Sequence, residues 1–245
     1  MNTFDITSSF VIIVLAALIH ASFQVSVSVL TLLSGHALSR KTAHLQLLRL
    51  SGTFIIGVGI MSLLLLSTIA LLLANIFSHG TPLVVWAICA GAATGVGISV
   101  WLFYYRRVGG TVLWIPRSFA HYLSKRTKAT KQPVEAFGLG IVSVVGELLF
   151  LFAPLLIAAL VLIRLDPLLQ LLGVTLYVLL AIMPLLIVYV LLGGGRTVAR
   201  IQRWRESNKR FLQFAAGSGL LILGLYIYIE RVITTTVTSH AGVYL

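Results

Sequence analysis

Six stretches of the chain are almost continuously apolar: 9–34, 50–77, 82–105, 136–163, 168–192 and 211–230. Each is long enough to cross the hydrocarbon core of a bilayer, which takes about 20 residues at about 1.5 Å rise per residue. In hydrocarbon the backbone must satisfy its own hydrogen bonds, and an α-helix does so within a single segment. The stretches therefore predict an all-α integral membrane protein with six transmembrane helices. Composition supports this where it discriminates: 59% of residues are hydrophobic and 10% are charged, against about a quarter charged in soluble domains. Cys89 is the only cysteine, which excludes an intrachain disulfide and dithiol chemistry. The opening "MNTFDITSS" carries an acid and no Lys or Arg. It reads as the start of a retained span, since a secretory signal begins with a basic region.

The formal net charge of +12 is explained by where the basic residues fall. Arg40, Lys41 and Arg49 lie in the first connection. Arg106, Arg107, Arg117, Lys125, Arg126, Lys128 and Lys131 lie in the third. Arg196, Arg200, Arg203, Arg205, Lys209 and Arg210 lie in the fifth. Only Arg164 and Arg231 remain for the opposite side, with Asp5, Asp166 and Glu230. By the positive-inside rule, connections one, three and five face the cytoplasm and both termini lie on the extracytoplasmic side. The basic excess is thus a topology signal that also suits anionic headgroups, and nucleic acid is not an expected partner. Trp86, Trp101, Tyr104 and Tyr105 near the ends of span three, and Trp114 beyond it, fit interfacial anchoring.

The long basic connection 106–135 divides the chain into 1–105 and 136–245, three spans each. Halves with an odd number of spans have opposite orientations, the layout of a 3+3 inverted repeat. His20 in span one and Glu147 in span four then occupy corresponding helices.

Those two residues head the list of polar groups that hydrocarbon would not accept. At 100° per residue, His20, Gln24, Ser28 and Thr31 share an arc of about 80° on span one, with Ser22 and Ser26 roughly opposite. Isolated serines can bond back to a carbonyl one turn earlier or pack helices closely. An amide has donors and an acceptor that must find protein or water. For His20 and Gln24 two readings stand: an interhelical hydrogen bond, or the wall of a solute path. Glu147 is the only acid inside any span, at a cost of about 2.5–3.5 kcal/mol for a central acid on insertion scales. It must be protonated, bind a cation, or pair with a protonated His20; a neutral structural donor is the plainer alternative. Ser143 and Gly140 share its face. Pro154, and Pro184 in span five, could bend their helices and free a carbonyl beside the site.

Other motifs are weaker. Gly91 and Gly95 form a GxxxG whose ordinary meaning is close helix packing. Cys89, Met61 and Met183 could act as soft metal ligands, but their spacing does not require it, so the metal is unassigned. Enzyme signatures such as HExxH, GxSxG or paired intramembrane aspartates are missing from the sequence. No enzyme activity and no cofactor are expected.

With three plus three spans and polar groups in spans one and four, the chain resembles the lysine-exporter superfamily. Its members include amino-acid exporters, manganese and cadmium efflux proteins, and the membrane domain of cytochrome c biogenesis thiol carriers. "IHASFQVSVS", from Ile19 to Ser28, looks like the first-span pattern of the manganese-efflux branch. "NKRFLQFAAGSGLLILGLYI", from Asn208 to Ile227, looks like the superfamily's shared ending. His20 stands where the manganese branch places an acid, and neither span one nor span four has the cysteine that thiol transfer needs. The resemblance implies a multi-pass transporter of the bacterial-type cytoplasmic membrane, exporting a small cation or an amino-acid-like solute. Its expected site comprises His20, Gln24, Ser28, Ser143 and Glu147. A non-transporting scaffold or assembly factor acting through the basic connections is the alternative, and homo-oligomerisation is left open.

Overall fold

A computed structural model of the chain describes residues 3–26, 42–78, 80–104, 125–126, 130, 132–195 and 198–234. Among these residues there is no strand. Six helices are long and apolar enough to cross a membrane, as the apolar stretches predict, and the chain is a multi-pass integral membrane protein. The helices are α1 (Thr3–Ser26), α2 (Thr42–Ile76), α3 (Leu83–Tyr104), α4 (Pro133–Leu162), α5 (Pro167–Gly193), α6 (Val198–Ser207) and α7 (Lys209–Ile227). A π-helical turn, Tyr228–Ile233, prolongs α7. The short α6 was not expected from the sequence. It is amphipathic, with Ile201 buried and Arg203 and Trp204 exposed.

Local chemistry explains several boundaries. Pro133 and Pro167 sit in the first turns of α4 and α5, where a missing N–H costs nothing and the fixed φ suits the helix. Gly195 adopts φ +79° just beyond α5, a left-handed conformation that glycine takes without strain. Two edges differ from expectation. α1 begins at Thr3 rather than near residue 9, and α2 begins at Thr42 rather than near 50. Arg49 therefore lies within a helix, where it is exposed. Both α4 and α5 continue through Pro154 and Pro184, so neither proline breaks its helix.

α1 packs on α4, α5 and α7, while α4 packs on α1, α2 and α3; α2 also meets α5, and α3 pairs with α7. Glycines set the closest crossings. A methyl group at Gly140 would run into the carbonyl oxygen of Phe54, and one at Gly57 into that of Phe137. The backbones of α2 and α4 thus touch, and dispersion contacts between them are what associates helices in a bilayer. Gly97 and Gly224 do the same for α3 and α7, against the carbonyls of Gly217 and Ala90. Gly91 and Gly95 do not. Both are exposed, and no neighbour lies within 4 Å of where a side chain would begin. Within the chain the GxxxG therefore makes no close crossing, because the pattern fixes a spacing, not the face that meets a partner.

The interior holds two apolar clusters. One joins Ile12, Ile13, Ala16 and Phe23 of α1 to Trp86 of α3, the Phe150–Leu162 part of α4, Tyr177 and Ala181 of α5, and Leu220 of α7. The other joins Phe54 and Val58 of α2, Leu139 and Val144 of α4, and Leu185 and Val188 of α5. Glu147 falls where α4 passes from one cluster to the other.

Candidate functional site

Glu147 lies midway along α4, 14 residues from Pro133 and 15 from Leu162. Its side chain is fully buried, as are those of His20, Gln24 and Ser143. The 3.6-residue repeat puts His20 and Gln24 one turn apart on α1, and the fold turns that stripe inward. Gln24 Nε2 lies 3.2 Å from His20 Nε2. His20 Nε2 lies 4.0 Å from Glu147 Oε2. The two halves of the chain therefore meet at His20 and Glu147, which the sequence placed on corresponding helices.

A fourth member was missed. Tyr177 of α5 is fully buried, and its hydroxyl lies 3.1 Å from His20 Nδ1. Its ring tilts against the imidazole at 54°, with centroids 5.7 Å apart. A phenol in mid-span is far from the interfacial belts where tyrosines gather, and that position was the available signal. Gly173 and Ala181, one turn to either side, are buried on the same face. Gly173 lets α5 come close to Leu162 and Ile13.

His20 is held at both ring nitrogens, by the Gln24 amide on Nε2 and the Tyr177 hydroxyl on Nδ1, and either neutral tautomer satisfies both: Gln24 Nε2 donates when Nδ1 carries the proton, and the Tyr177 hydroxyl donates, with the amide turned over, when Nε2 carries it. Gln24 Oε1, the amide's acceptor, is buried with no hydrogen-bond partner among the described residues. Beside the cluster, Phe23 and Phe150 stack at 5.3 Å and 18° and hold α1 against α4.

The other expected residues divide. Ser143 is buried one turn before Glu147, but its hydroxyl donates 2.8 Å back to the Gly140 carbonyl. Ser22 likewise donates 2.7 Å to the Ile19 carbonyl, as expected of isolated serines. Ser28 and Thr31 lie outside the described residues, as do Tyr105 and Trp114. Pro184 lies in α5 between Ala181 of one apolar cluster and Leu185 of the other. Cys89 is buried in the first cluster whereas Met183 is exposed, so these two do not form a soft-metal site. Among the described residues, no three of His, Cys, Asp and Glu converge on one point.

Trp86 corrects the anchoring expectation: it is 2% exposed and faces the interior. Trp101 is exposed and stacks on Phe214 at 5.5 Å. No protein-family model, curated protein or solved structure matches the chain.

Proposed function

We propose that the protein is a membrane transporter whose central site, between α1, α4 and α5, takes a small cation. One observation carries the reading: His20, Gln24, Glu147 and Tyr177 converge from three helices at mid-span and are fully buried. Ionisable residues at that depth are expensive, and in membrane proteins they mark ion and proton paths. The ionisable acid of the group is Glu147, 4.0 Å from His20 Nε2, with the Gln24 amide 3.2 Å from the same nitrogen, and no Lys or Arg is among the buried polar residues described. Oxygen and imidazole donors of this kind suit a proton, an ammonium-type cation or a divalent metal ion. That balance favours a cation over the carboxylate end of an amino-acid-like solute.

The packing supports the 3+3 inverted repeat behind this reading. Exchanging α1 with α4, α2 with α5 and α3 with α7 turns the α2–α4 contact into α5–α1, and α1–α7 into α4–α3. The pairs α1–α4, α2–α5 and α3–α7 map onto themselves. A site on the axis of such a repeat is where the halves can rock to open alternately. With both termini extracytoplasmic and the basic connections inside, the membrane is the bacterial-type cytoplasmic one and the direction is export, the sense of the superfamily resemblance.

The test is flux in proteoliposomes loaded with ammonium-type or divalent cations, or with amino-acid-like solutes. Glu147→Gln keeps the side chain's shape and removes its charge, so it abolishes cation flux while the protein stays folded. Unchanged flux in that variant refutes the coupling role. The scaffold reading draws on the bond His20 makes to Tyr177, which also ties α1 to α5. It prevails if single cysteines at Gln24, Ser143 and Glu147, in a Cys89→Ala background, resist water-soluble thiol reagents from both sides.

A further inference from the structure

At the end of the helices away from the basic connections, the bundle carries a run of polar contacts. Ser8 lies near the start of α1, Trp86 near the start of α3, Arg164 just past α4, and Tyr226, Glu230 and Arg231 at the end of α7. Ser8 Oγ donates to Glu230 Oε1 at 2.7 Å, and the Tyr226 hydroxyl donates to Ser8 Oγ at 3.3 Å. The Arg231 guanidinium lies over the Trp86 ring, 5.6 Å from its centroid, and the Arg164 guanidinium lies 5.2 Å from the same centroid. Consecutive positions on a helix point in different directions, so the adjacent Glu230 and Arg231 reach α1 and α3 respectively. Both belong to the π-helical turn Tyr228–Ile233, a distortion that recurs where a helix serves a function.

These contacts run in a definite order. Ser8 joins α1 to the end of α7, Arg231 joins α7 to Trp86 of α3, and Arg164 joins Trp86 to the end of α4. The helices at the two ends of the run, α1 and α4, are the ones that carry His20 and Glu147. Ser8 precedes His20 by 12 positions, about 18 Å along the helix. The interval is apolar: residues 10–19 of α1 and 148–162 of α4 contain no polar side chain, and Ile12, Ile13, Ala16, Leu151 and Leu155 are fully buried. Dispersion contacts there are non-directional, whereas a hydrogen bond is lost within about an ångström of separation. A route from this end to the buried cluster parts α1 from α4, and the polar run resists that.

We infer that Ser8, Tyr226 and Glu230, with Trp86 beneath Arg231 and Arg164, form a clasp that governs opening of the central cluster toward this end. The Ser8–Glu230 bond is its shortest link. The inference rests on the transport reading, in which the site opens to each side in turn, but side-specific labelling reads the clasp separately from flux.

The test uses the full chain in proteoliposomes with the reporter Ala16→Cys, buried on α1 one turn before His20, in the Cys89→Ala background. Ile13→Cys, smaller than the residue it replaces, is the second reporter. A charged methanethiosulfonate is applied to one side at a time. Ser8→Ala speeds labelling from the Arg164 side about three- to tenfold, the loss of one interhelical hydrogen bond to a carboxylate, and leaves the rate from the other side unchanged. Ser8→Thr keeps the hydroxyl and the parent rate. Ser8→Ala adds little in a Glu230→Ala background. Ser22→Ala, whose hydroxyl bonds within α1, changes nothing. Equal rates in the parent and Ser8→Ala, no labelling in either included, overturn the clasp, as does an equal rise from both sides, which is general loosening. Cation flux without the side-specific rise removes the clasp and keeps the transport reading. The rise without flux does the reverse.

Discussion

Tyr177→Phe removes a single oxygen from the centre of the bundle, and its effect should reverse in sign with the residue at position 20. In the wild type the hydroxyl lies 3.1 Å from His20 Nδ1, within hydrogen-bond distance, with both side chains fully buried. Deleting it leaves the ring nitrogen without its partner, at about 1–3 kcal/mol for an orphaned buried polar group. Interhelical hydrogen bonds in membranes average only about 0.6 kcal/mol and reach about 1.7, because the separated helices also find partners. The expected loss is therefore about 1–2 kcal/mol. In a His20→Leu background the hydroxyl is itself the orphan. There Tyr177→Phe should be neutral or stabilising. The assay is reversible unfolding in mixed micelles of rising denaturing-detergent fraction, followed by helical circular dichroism, for the wild type, both single variants and the double. A similar loss in both backgrounds would mean that Tyr177 acts through ring packing, and the His20–Tyr177 hydrogen bond would be abandoned as the source of the effect.

Four further outcomes follow from the same geometry. Glu147→Gln should abolish cation flux in proteoliposomes without loss of helical content. Gly140→Leu should cost more than about 3 kcal/mol by thermal unfolding, because the α2 and α4 backbones cannot separate without losing their contact, whereas Gly95→Leu should stay within about 0.5 kcal/mol on its exposed face. Gln24→Leu removes a buried amide whose oxygen has no partner, so stability should hold or rise by differential scanning while flux falls. A cysteine at Arg203 in the Cys89→Ala background should react with an impermeant thiol reagent from the side opposite Arg164→Cys; labelling of both from one side would break the six-span topology.

The spans were legible because hydrocarbon imposes one rule on every residue of a segment, and length with polarity reports it directly. Glu147 and the His20–Gln24 stripe were legible for the converse reason: each is an expensive exception to that rule. Tyr177 was not, since a phenol is only mildly out of place in mid-span and its partner lies 157 residues away. α6 was hidden by its charge, because a ten-residue amphipathic helix in a basic connection reads as polar chain. Trp86 lay near a span end, where the sequence cannot tell an indole facing lipid from one turned inward against two arginines.

The way α1 is partnered bears on how the protein can be made. Its packing partners α4, α5 and α7 all come from beyond residue 132, and among the described residues consecutive helices in the first half share little contact. During synthesis His20 and Gln24 enter the membrane while Glu147, 127 residues later, does not yet exist. At about 5–20 residues per second, the stripe waits roughly 6–25 s for its counterpart. The first three helices cannot mature as a unit in that interval. Until the second half arrives, His20 lacks Tyr177 and Glu147, so a chain truncated near residue 105 should unfold at lower denaturing-detergent fraction than the full chain.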